Sequence, residues 1–315
     1  GCPPPDPRVE IYNTLKEAVQ NGGDFDDWTK LLTAAEKVGD GEKLLQVYDE
    51  FLTEYPLCYG YWSRYSVAVG GHGGDRATIF ERGVQAIPHS VDLWLQYIEY
   101  FIGTGADEEK VRALFERALK DVGSDFLSHN LWDKYIAYEH GQQATVNISH
   151  LYARIMGMPI QQLDRFYQSF TEYISSRTVP ELFSATDIEA EKEKVASSGD
   201  AAEDAEGTAQ LSDEEKLKNS WMKSKSSVYE ATKAKLAERL PFEMAIKRPY
   251  FHVKPLDDAQ LSNWHSYLDF EEKQGDEQVI CKLYERCLIA CAPYPEFWIR
   301  YAIRAEGSGD IQRTR

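Results

Sequence analysis

The sequence predicts an all-α fold of the α-solenoid class, a right-handed superhelical array of antiparallel helix pairs. Three observations lead to this prediction: a tryptophan that recurs at regular spacing, a second aromatic residue at a near-constant distance after it, and prolines that close several units. Successive tryptophans are 34, 32 and 38 residues apart from Trp28 to Trp132, and 34 residues separate Trp264 from Trp298. Periods of roughly 20 to 50 residues are typical of stacked repeat proteins.

Each recurring tryptophan lies near the start of a segment with helical apolar spacing. Examples are Trp62-x-x-Tyr65 and Trp94-x-x-Tyr97-x-x-x-Phe101. Side chains at these spacings share one helical face, so each segment should form an amphipathic helix with a bulky aromatic seam. The tryptophans are therefore expected to be packing residues: Trp28, Trp62, Trp94, Trp132, Trp264 and Trp298.

A second helix should follow each first helix, and an aromatic residue marks it. In Phe80-Glu81-Arg82 the marker comes 18 residues after the tryptophan, and in the other units the distance is 20 or 21 residues. One helix pair cannot bury its apolar seam alone, so neighbouring pairs must stack. The markers are accordingly expected to pack between repeats: Phe80, Phe115, Tyr152 and Tyr284.

The spacing divides the chain into five parts. An N-terminal segment (1–23) precedes repeats 1–4 and the first helix of repeat 5 (24–180), in which Phe166 replaces the tryptophan. Residues 181–211 form an acidic, low-complexity segment that we expect to be a mobile loop. A long basic helix and an extended connector occupy residues 212–256, and residues 257–315 hold repeat 6 and the start of repeat 7.

The net charge of −17 is distributed unevenly along the chain. Residues 181–215 contain 12 acidic and 2 basic residues, whereas residues 216–254 contain 10 basic and 3 acidic ones. The first segment has too little apolar surface to offset its ordering entropy, which is the reason for predicting a loop. The negative total argues against a phosphate-binding surface over the whole chain and leaves the basic segment as a local exception.

The basic segment is predicted to be a helix followed by an extended connector. Ser212 and Glu215 match a capping box that begins a helix to about Leu240. Pro249 and Pro255 disfavour helix in the residues before them. Its charges fit two interpretations, a solvated face paired with the acidic segment or a docking site for RNA phosphates or an acidic protein tail. The candidate contact residues are Lys223, Lys225, Lys233, Lys235, Lys247, Arg248, Tyr250, His252 and Lys254.

The sequence contains no catalytic, metal-binding or cofactor-binding motif that we can identify. It lacks a GxxxxGK[ST] phosphate loop, a GxSxG elbow and an HExxH zinc motif. Cys281, Cys287 and Cys291 are spaced six and four residues apart, which is not the CxxC spacing of a zinc site. No run of about 20 apolar residues predicts a membrane helix. We therefore expect a protein that is not an enzyme and that has no cofactor.

The paired helices resemble the half-a-tetratricopeptide (HAT) repeat family, which is found largely in RNA-processing complexes. The resemblance rests on Trp-x-x-Tyr in the first helix and on the aromatic-Glu-Arg marker in the second. Residues 55–62, 82–94 and 247–256 carry a closer resemblance to pre-mRNA splicing members of that family. This resemblance implies a nuclear, non-enzymatic scaffold that holds protein subunits of the U1 small nuclear ribonucleoprotein (snRNP) during 5′ splice-site recognition.

The resemblance also implies pairing with another chain. Members of the family form a homodimer, or a heterodimer with a related HAT protein, mainly through carboxyl-terminal repeats that we expect to lie outside this sequence. It implies no membrane partner and only indirect contact with RNA. Two alternatives remain open: direct RNA binding through residues 216–254, and a HAT scaffold in another machine such as the 3′-end cleavage apparatus.

Overall fold

The computed structural model describes residues 6–197 and 212–308. Within these ranges the chain folds into sixteen α-helices and no strand, which confirms the predicted all-α class. The helices are α1 (Pro7–Gln20), α2 (Phe25–Val38), α3 (Gly41–Glu54), α4 (Tyr59–Gly71), α5 (Arg76–Ala86), α6 (Val91–Gly103), α7 (Glu108–Val122), α8 (His129–Gly141), α9 (Thr145–Ile155), α10 (Leu163–Ser175), α11 (Val179–Leu182), α12 (Ala185–Ser197), α13 (Asp213–Ala245), α14 (Asp258–Gln274), α15 (Glu277–Ala290) and α16 (Pro295–Ser308).

The chain divides into two compact units. One comprises residues 1–114 together with residues 244–315, and the other comprises residues 115–243. Within the first unit, α2 packs on α3, α4 on α5, and α14 on α15; within the second, α8 packs on α9 and α9 on α10. Consecutive antiparallel pairs are therefore the building block of both units, as the repeat spacing predicts.

The helix ends follow from local sequence. Asp24, Asp40 and Asp257 each accept a hydrogen bond from a first-turn backbone N–H of the helix that they precede, which satisfies a donor that the helix leaves unpaired. α3 and α5 each end two residues before a proline, Pro56 and Pro88, because a proline ring excludes helical conformation in the residue before it. Caps and prolines together keep the turns between helices short.

The aromatic residues of the repeat form the core. Of the recurring tryptophans, Trp62, Trp94, Trp132 and Trp264 are buried, and Trp28 is partly exposed. All of the predicted second-helix markers are buried as well: Phe80, Phe115, Tyr152 and Tyr284.

Trp298 departs from the expectation, since 48% of its surface is exposed. In a complete repeat the second helix covers the indole of the first, as Gly83 of α5 does where it lies against the ring of Trp62. The described part of the chain contains no helix after α16. Trp298 therefore lacks the cover that buries the tryptophans of the other repeats.

A recurring hydrogen bond explains why tryptophan, and not another large apolar residue, marks the first helix. The indole N–H donates to the backbone carbonyl of the residue six positions earlier at Trp62 (2.8 Å), Trp94 (2.8 Å) and Trp298 (2.9 Å). At Trp132 the acceptor is the carbonyl of Gly123, at 2.9 Å. Each of these four indoles thus fixes the turn before its helix through one ring donor. The buried Trp264 differs, since its indole N–H has no hydrogen-bond partner among the described residues.

The prediction for the acidic segment needs correction. Residues 181–211 were expected to be a loop, but α12 occupies residues 185–197, and α11 precedes it. The Asp187 and Glu191 carboxylates are bonded to His150 (3.0 Å) and Ser220 (2.7 Å), so acidic side chains hold this helix in place where composition alone predicted solvation. Residues 198–211 lie outside the described residues. The N-terminal segment 1–23 contains α1, which packs on α2.

The long helix begins as predicted but extends further. The Glu215 carboxylate accepts from the backbone N–H of Ser212 at 2.8 Å, which completes the predicted capping box. The helix was expected to end at about Leu240, yet Pro241 lies inside α13, which continues to Ala245. A proline removes one backbone hydrogen bond, and here only the last turn of the helix follows it.

Helix α13 supplies the second helix of the fifth repeat. Its Tyr229 ring stacks on Tyr167 of α10, with centroids 3.9 Å apart and planes 5° from parallel. Trp221, which falls outside the tryptophan spacing, contacts the rings of Phe170 (5.3 Å) and Phe183 (4.8 Å). An insertion therefore separates the two helices of this repeat in sequence, while their packing partners remain aromatic.

Replacing Trp94 tests the packing role of the recurring tryptophan. Trp94→Ala should lower the free energy of unfolding by about 3 to 5 kcal/mol, because it removes a buried aromatic side chain and leaves a cavity. Trp298→Ala is the matched control and should cost clearly less, since that ring is half exposed. Urea unfolding followed by circular dichroism measures both, and equal losses would contradict the packing assignment.

Candidate functional site

Neighbouring repeats are joined by stacked aromatic rings. At four junctions the second-helix marker of one repeat lies face to face with the tyrosine that follows the tryptophan of the next repeat by three residues, whereas the marker Tyr152 is tilted by 45° against Tyr173 of the fifth repeat. The pairs, with centroid distance and interplanar angle, are Tyr48–Tyr65 (5.4 Å, 10°), Phe80–Tyr97 (5.3 Å, 11°), Phe115–Tyr135 (4.2 Å, 3°) and Tyr284–Tyr301 (4.7 Å, 11°). Such stacking adds about 0.5–1.5 kcal/mol to the burial of each pair.

The acidic residue that follows a marker connects two repeats; the marker Tyr152 is the exception, since Ala153 follows it. Asp49 accepts from the hydroxyl of Tyr65 at 3.4 Å and forms an ion pair with Arg82 of the following repeat at 2.7 Å. Glu116 pairs with Arg154 at 2.7 Å in the same register. In these two junctions the acidic residue after the marker of one repeat therefore pairs with the arginine after the marker of the next repeat.

The same arginines cover the tryptophans of their own repeats. The Arg82 guanidinium lies 5.5 Å from the Trp62 ring, and the Arg154 guanidinium lies 5.4 Å from the Trp132 ring. Each guanidinium thus makes a cation–π contact within its repeat and an ion pair with the previous one. The sequence analysis used Glu-Arg only to locate the second helix. Its constant position beside the aromatic residue could have indicated that the two side chains contact neighbouring repeats.

A second polar network recurs with identical spacing. Tyr48 and Arg64 both bond to Glu36, at 3.0 and 2.7 Å, and Tyr284 and Arg300 bond to Glu272 in the same way. The spacings from acid to tyrosine and arginine are 12 and 28 residues in both places. Burial raises the pKa of Tyr48 to about 12, so this hydroxyl remains a donor at neutral pH.

The predicted basic contacts on α13 do not form one face. At about 100° per residue, Lys225, Lys233 and Lys235 point about 200°, 280° and 120° away from Lys223 around the helix axis. Lys233 is engaged within its own unit, where its ammonium lies 3.1 Å from Asp164 and 3.1 Å from the Tyr229 hydroxyl. The lysines of α13 are therefore spread around a helix that packs on α10.

The structure brings the remaining five candidates together on the connector between α13 and α14. The Arg248 guanidinium donates to the Lys254 carbonyl at 2.6 Å, and the Lys254 backbone N–H donates to Nδ1 of His252 at 2.9 Å. The Tyr250 ring is 43% exposed and meets Tyr59 edge-on at 6.4 Å. The Lys247 side chain is exposed. The connector therefore presents cations around one accessible aromatic ring.

No reactive site stands out among the side chains that the structure describes. Residues 6–197 and 212–308 contain no group of three or more His, Cys, Asp or Glu residues placed to hold a metal ion. Burial raises the pKa of the Cys58 thiol to about 12 and that of the Cys287 thiol as well, so both stay protonated at neutral pH. None of the described helices is long and apolar enough to cross a membrane.

The fold and its inter-repeat contacts define a helical-repeat protein of the HAT class. Residues 13–172 match a family model described as the PRP39 N-terminal HAT repeat, and residues 237–315 match one described as the PRP39 C-terminal HAT repeat. The chain belongs to the PRP39 HAT-repeat family. This confirms the resemblance inferred from the sequence.

Curated relatives agree with this assignment. The chain is 40% identical to pre-mRNA-processing factor 39 of Schizosaccharomyces pombe, over 92% of this chain and 50% of the relative. It is 34% identical to the human protein of the same name, over 93% of this chain and 47% of the relative. A mouse protein named spliceosome associated factor 3, U4/U6 recycling protein, is 22% identical over 94% of the chain and 27% of its own length. The chain thus spans about half the length of these two relatives.

The buried tyrosines predict a loss of stability at high pH. Because burial raises the pKa of Tyr48 from 10 to about 12, its contribution is complete below pH 10 and is lost as the pH rises from 10 to 12. Burial raises the pKa of Tyr135 and Tyr284 in the same direction. Urea midpoints measured across this range should fall, and the fall should be smaller in Tyr48→Phe. Tyr250→Phe removes only the hydroxyl of a half-exposed ring and should leave the profile of the parent protein unchanged; equal profiles for all three proteins would refute this prediction.

Proposed function

We propose that this chain is part of a non-enzymatic scaffold for pre-mRNA splicing, which holds protein subunits of the U1 snRNP together in the nucleus during 5′ splice-site recognition. The observation that carries the proposal is membership of the PRP39 HAT-repeat family, together with 40% identity to a relative named pre-mRNA-processing factor 39. Pairing with a second copy, or with a related HAT protein, in the full-length chain belongs to the same proposal.

The inter-repeat contacts suit a scaffold. Stacked ring pairs at four junctions, and ion pairs such as Asp49–Arg82 and Glu116–Arg154, hold neighbouring helix pairs in one register, so side chains on the adjoining outer surfaces keep fixed separations. A scaffold needs this property because it positions partners without chemistry of its own, and the binding free energy comes from the surface buried with each partner.

Recovery of partners from nuclear extract tests the proposal. The immobilised chain should retain U1 snRNP proteins, identified by mass spectrometry, and treatment with ribonuclease should not release them if contact is through protein. The Trp94→Ala variant, with its array loosened, should retain less. Recovery of 3′-end cleavage factor subunits without U1 proteins would reject the U1 assignment in favour of another HAT scaffold.

Direct RNA binding is a second candidate because of one observation. Tyr250 is exposed on the connector beside Lys247 and Lys254, and an accessible ring between cations is how single-stranded RNA is held by stacking and phosphate contacts. The lysines of α13 support it less, since they do not share a face.

Salt dependence separates RNA binding from a purely protein-based scaffold. If the connector binds RNA, the affinity for a short labelled RNA should fall as the salt concentration rises. The double variant Lys247→Ala with Lys254→Ala should reduce the slope of log affinity against log salt concentration by about 2, because two phosphate contacts are lost. Lys110→Ala with Lys273→Ala removes two exposed lysines elsewhere and serves as the control. No binding at low salt, or the same slope in all three proteins, would exclude the connector as an RNA site.

A further inference from the structure

A groove lies on the first unit, between α1, α2 and α4. It has a volume of about 370 Å³, and its apolar lining comes from Ile11 and Leu15 of α1, Ala34 of α2 and Tyr61 of α4. Ile11 is 57% exposed, so part of the apolar lining of the groove is open to solvent. The repeat contacts described above do not involve this residue, so its exposure is not explained by packing within the array.

The charged residues that line the groove are all basic: Arg8, Lys30, Lys37 and Arg64. Two of them are held in place, since Arg8 pairs with Asp6 and Arg64 pairs with Glu36, both at 2.7 Å. Lys30 lies 3.6 Å from Asp27, and Lys37 forms no ion pair among the described residues. Both lysines are exposed, and Lys37 is available to an incoming anion, whereas Lys30 already has Asp27 as an ion-pair partner.

This cluster runs against the charge of the chain as a whole. In a protein of net charge −17, an acidic ligand is repelled by most of the surface and attracted where cations are concentrated. A basic rim around an aliphatic floor offers ion pairs and an apolar contact within one site. Together these features select a ligand that carries both kinds of group.

The floor favours a peptide over RNA. Base recognition by stacking needs an accessible aromatic face. The Tyr61 ring, the aromatic group of the groove, lies against the Arg64 guanidinium at 5.1 Å and against the Phe51 ring at 4.6 Å, so its faces are occupied. Ile11 and Leu15 instead suit an aliphatic or aromatic side chain of a peptide. The hydroxyls of Thr29 and Thr33 donate to helix carbonyls and keep lone pairs that can accept peptide N–H groups.

We propose that the groove between α1, α2 and α4 binds an acidic peptide segment of a partner protein, with an apolar side chain on Ile11 and Leu15 and flanking carboxylates on Lys30 and Lys37. This inference goes beyond the scaffold function, because it specifies the chemistry of one binding site. It does not depend on which RNA-processing complex supplies the partner.

Fluorescence anisotropy with a defined probe tests the site on the whole chain. The probe is a labelled decapeptide of aspartate and glutamate with a central Leu-Phe pair, and a second peptide carries Ser-Ser in place of Leu-Phe. The first peptide should bind, and its affinity should fall as salt rises. The affinity of the Ser-Ser peptide should be lower by at least about tenfold, because this peptide loses the apolar contact with Ile11 and Leu15.

Matched variants locate the binding. The double variant Lys30→Glu with Lys37→Glu should lower the affinity for the Leu-Phe peptide by at least about tenfold, because attraction of the peptide carboxylates is replaced by repulsion. Lys110→Glu with Lys273→Glu makes the same change in net charge at exposed positions elsewhere on the first unit and should have little effect. Ile11→Ser should weaken the Leu-Phe peptide and leave the Ser-Ser peptide unchanged. Melting temperatures check that every variant is folded.

Three results would overturn the proposal. Equal weakening by the two charge-reversal pairs would show a general charge effect. Equal affinity for the Leu-Phe and Ser-Ser peptides would show that the apolar floor takes no part. Displacement of the peptide by single-stranded RNA at lower concentration than by unlabelled peptide, with the same dependence on Lys30 and Lys37, would assign the groove to nucleic acid instead.

Discussion

The stacked aromatic pair between consecutive repeats is the contact on which the rest of the array depends. In Phe115–Tyr135 the rings are 4.2 Å apart and 3° from parallel, and three further pairs repeat the arrangement. Each pair joins the second helix of one repeat to the first helix of the next. A single helix pair would expose its aromatic seam to water, so the stacking makes every repeat depend on its neighbours. Trp298 shows this dependence, because its ring is half exposed where no described helix covers it.

Polar groups at the edge of each stack fix its register. Asp49 bonds to Tyr65 and Arg82 of the following repeat, while Arg82 also lies over Trp62. A partly exposed ion pair contributes at most about 1 kcal/mol, so its value here is directional more than energetic. The apolar seam alone would allow neighbouring helices to slide, and the hydrogen bonds and ion pairs permit only one alignment. A protein that positions partners at set distances requires that uniqueness.

The fifth repeat shows that the array can accept a long insertion. Its second helix, α13, begins 38 residues after the end of α10 and still stacks Tyr229 on Tyr167. Two surfaces are proposed as binding sites: the connector with Tyr250, and the basic groove lined by α1, α2 and α4. The groove concentrates positive charge on a strongly acidic chain, which makes charge a means of selecting a partner at that place.

The sequence by itself determined the all-α repeat class, the helix pairs from Trp28 onwards and the family. Aromatic residues at helical spacing and capping residues act on nearby residues, so their effect can be predicted from the order of residues alone. It did not predict α1, the helix within the acidic segment, or the continuation of α13 past Pro241. The helix within the acidic segment depends on contacts between residues far apart in sequence, such as Glu191 with Ser220, which hold charged side chains that composition alone assigns to solvent. The tertiary structure also decided that the lysines of α13 do not share a face and that Arg8, Lys30, Lys37 and Arg64 do line one groove. Packing brings together charged residues that are far apart in sequence and separates others that are close in sequence. The spacing of charged residues along the chain therefore does not predict which of them share a surface.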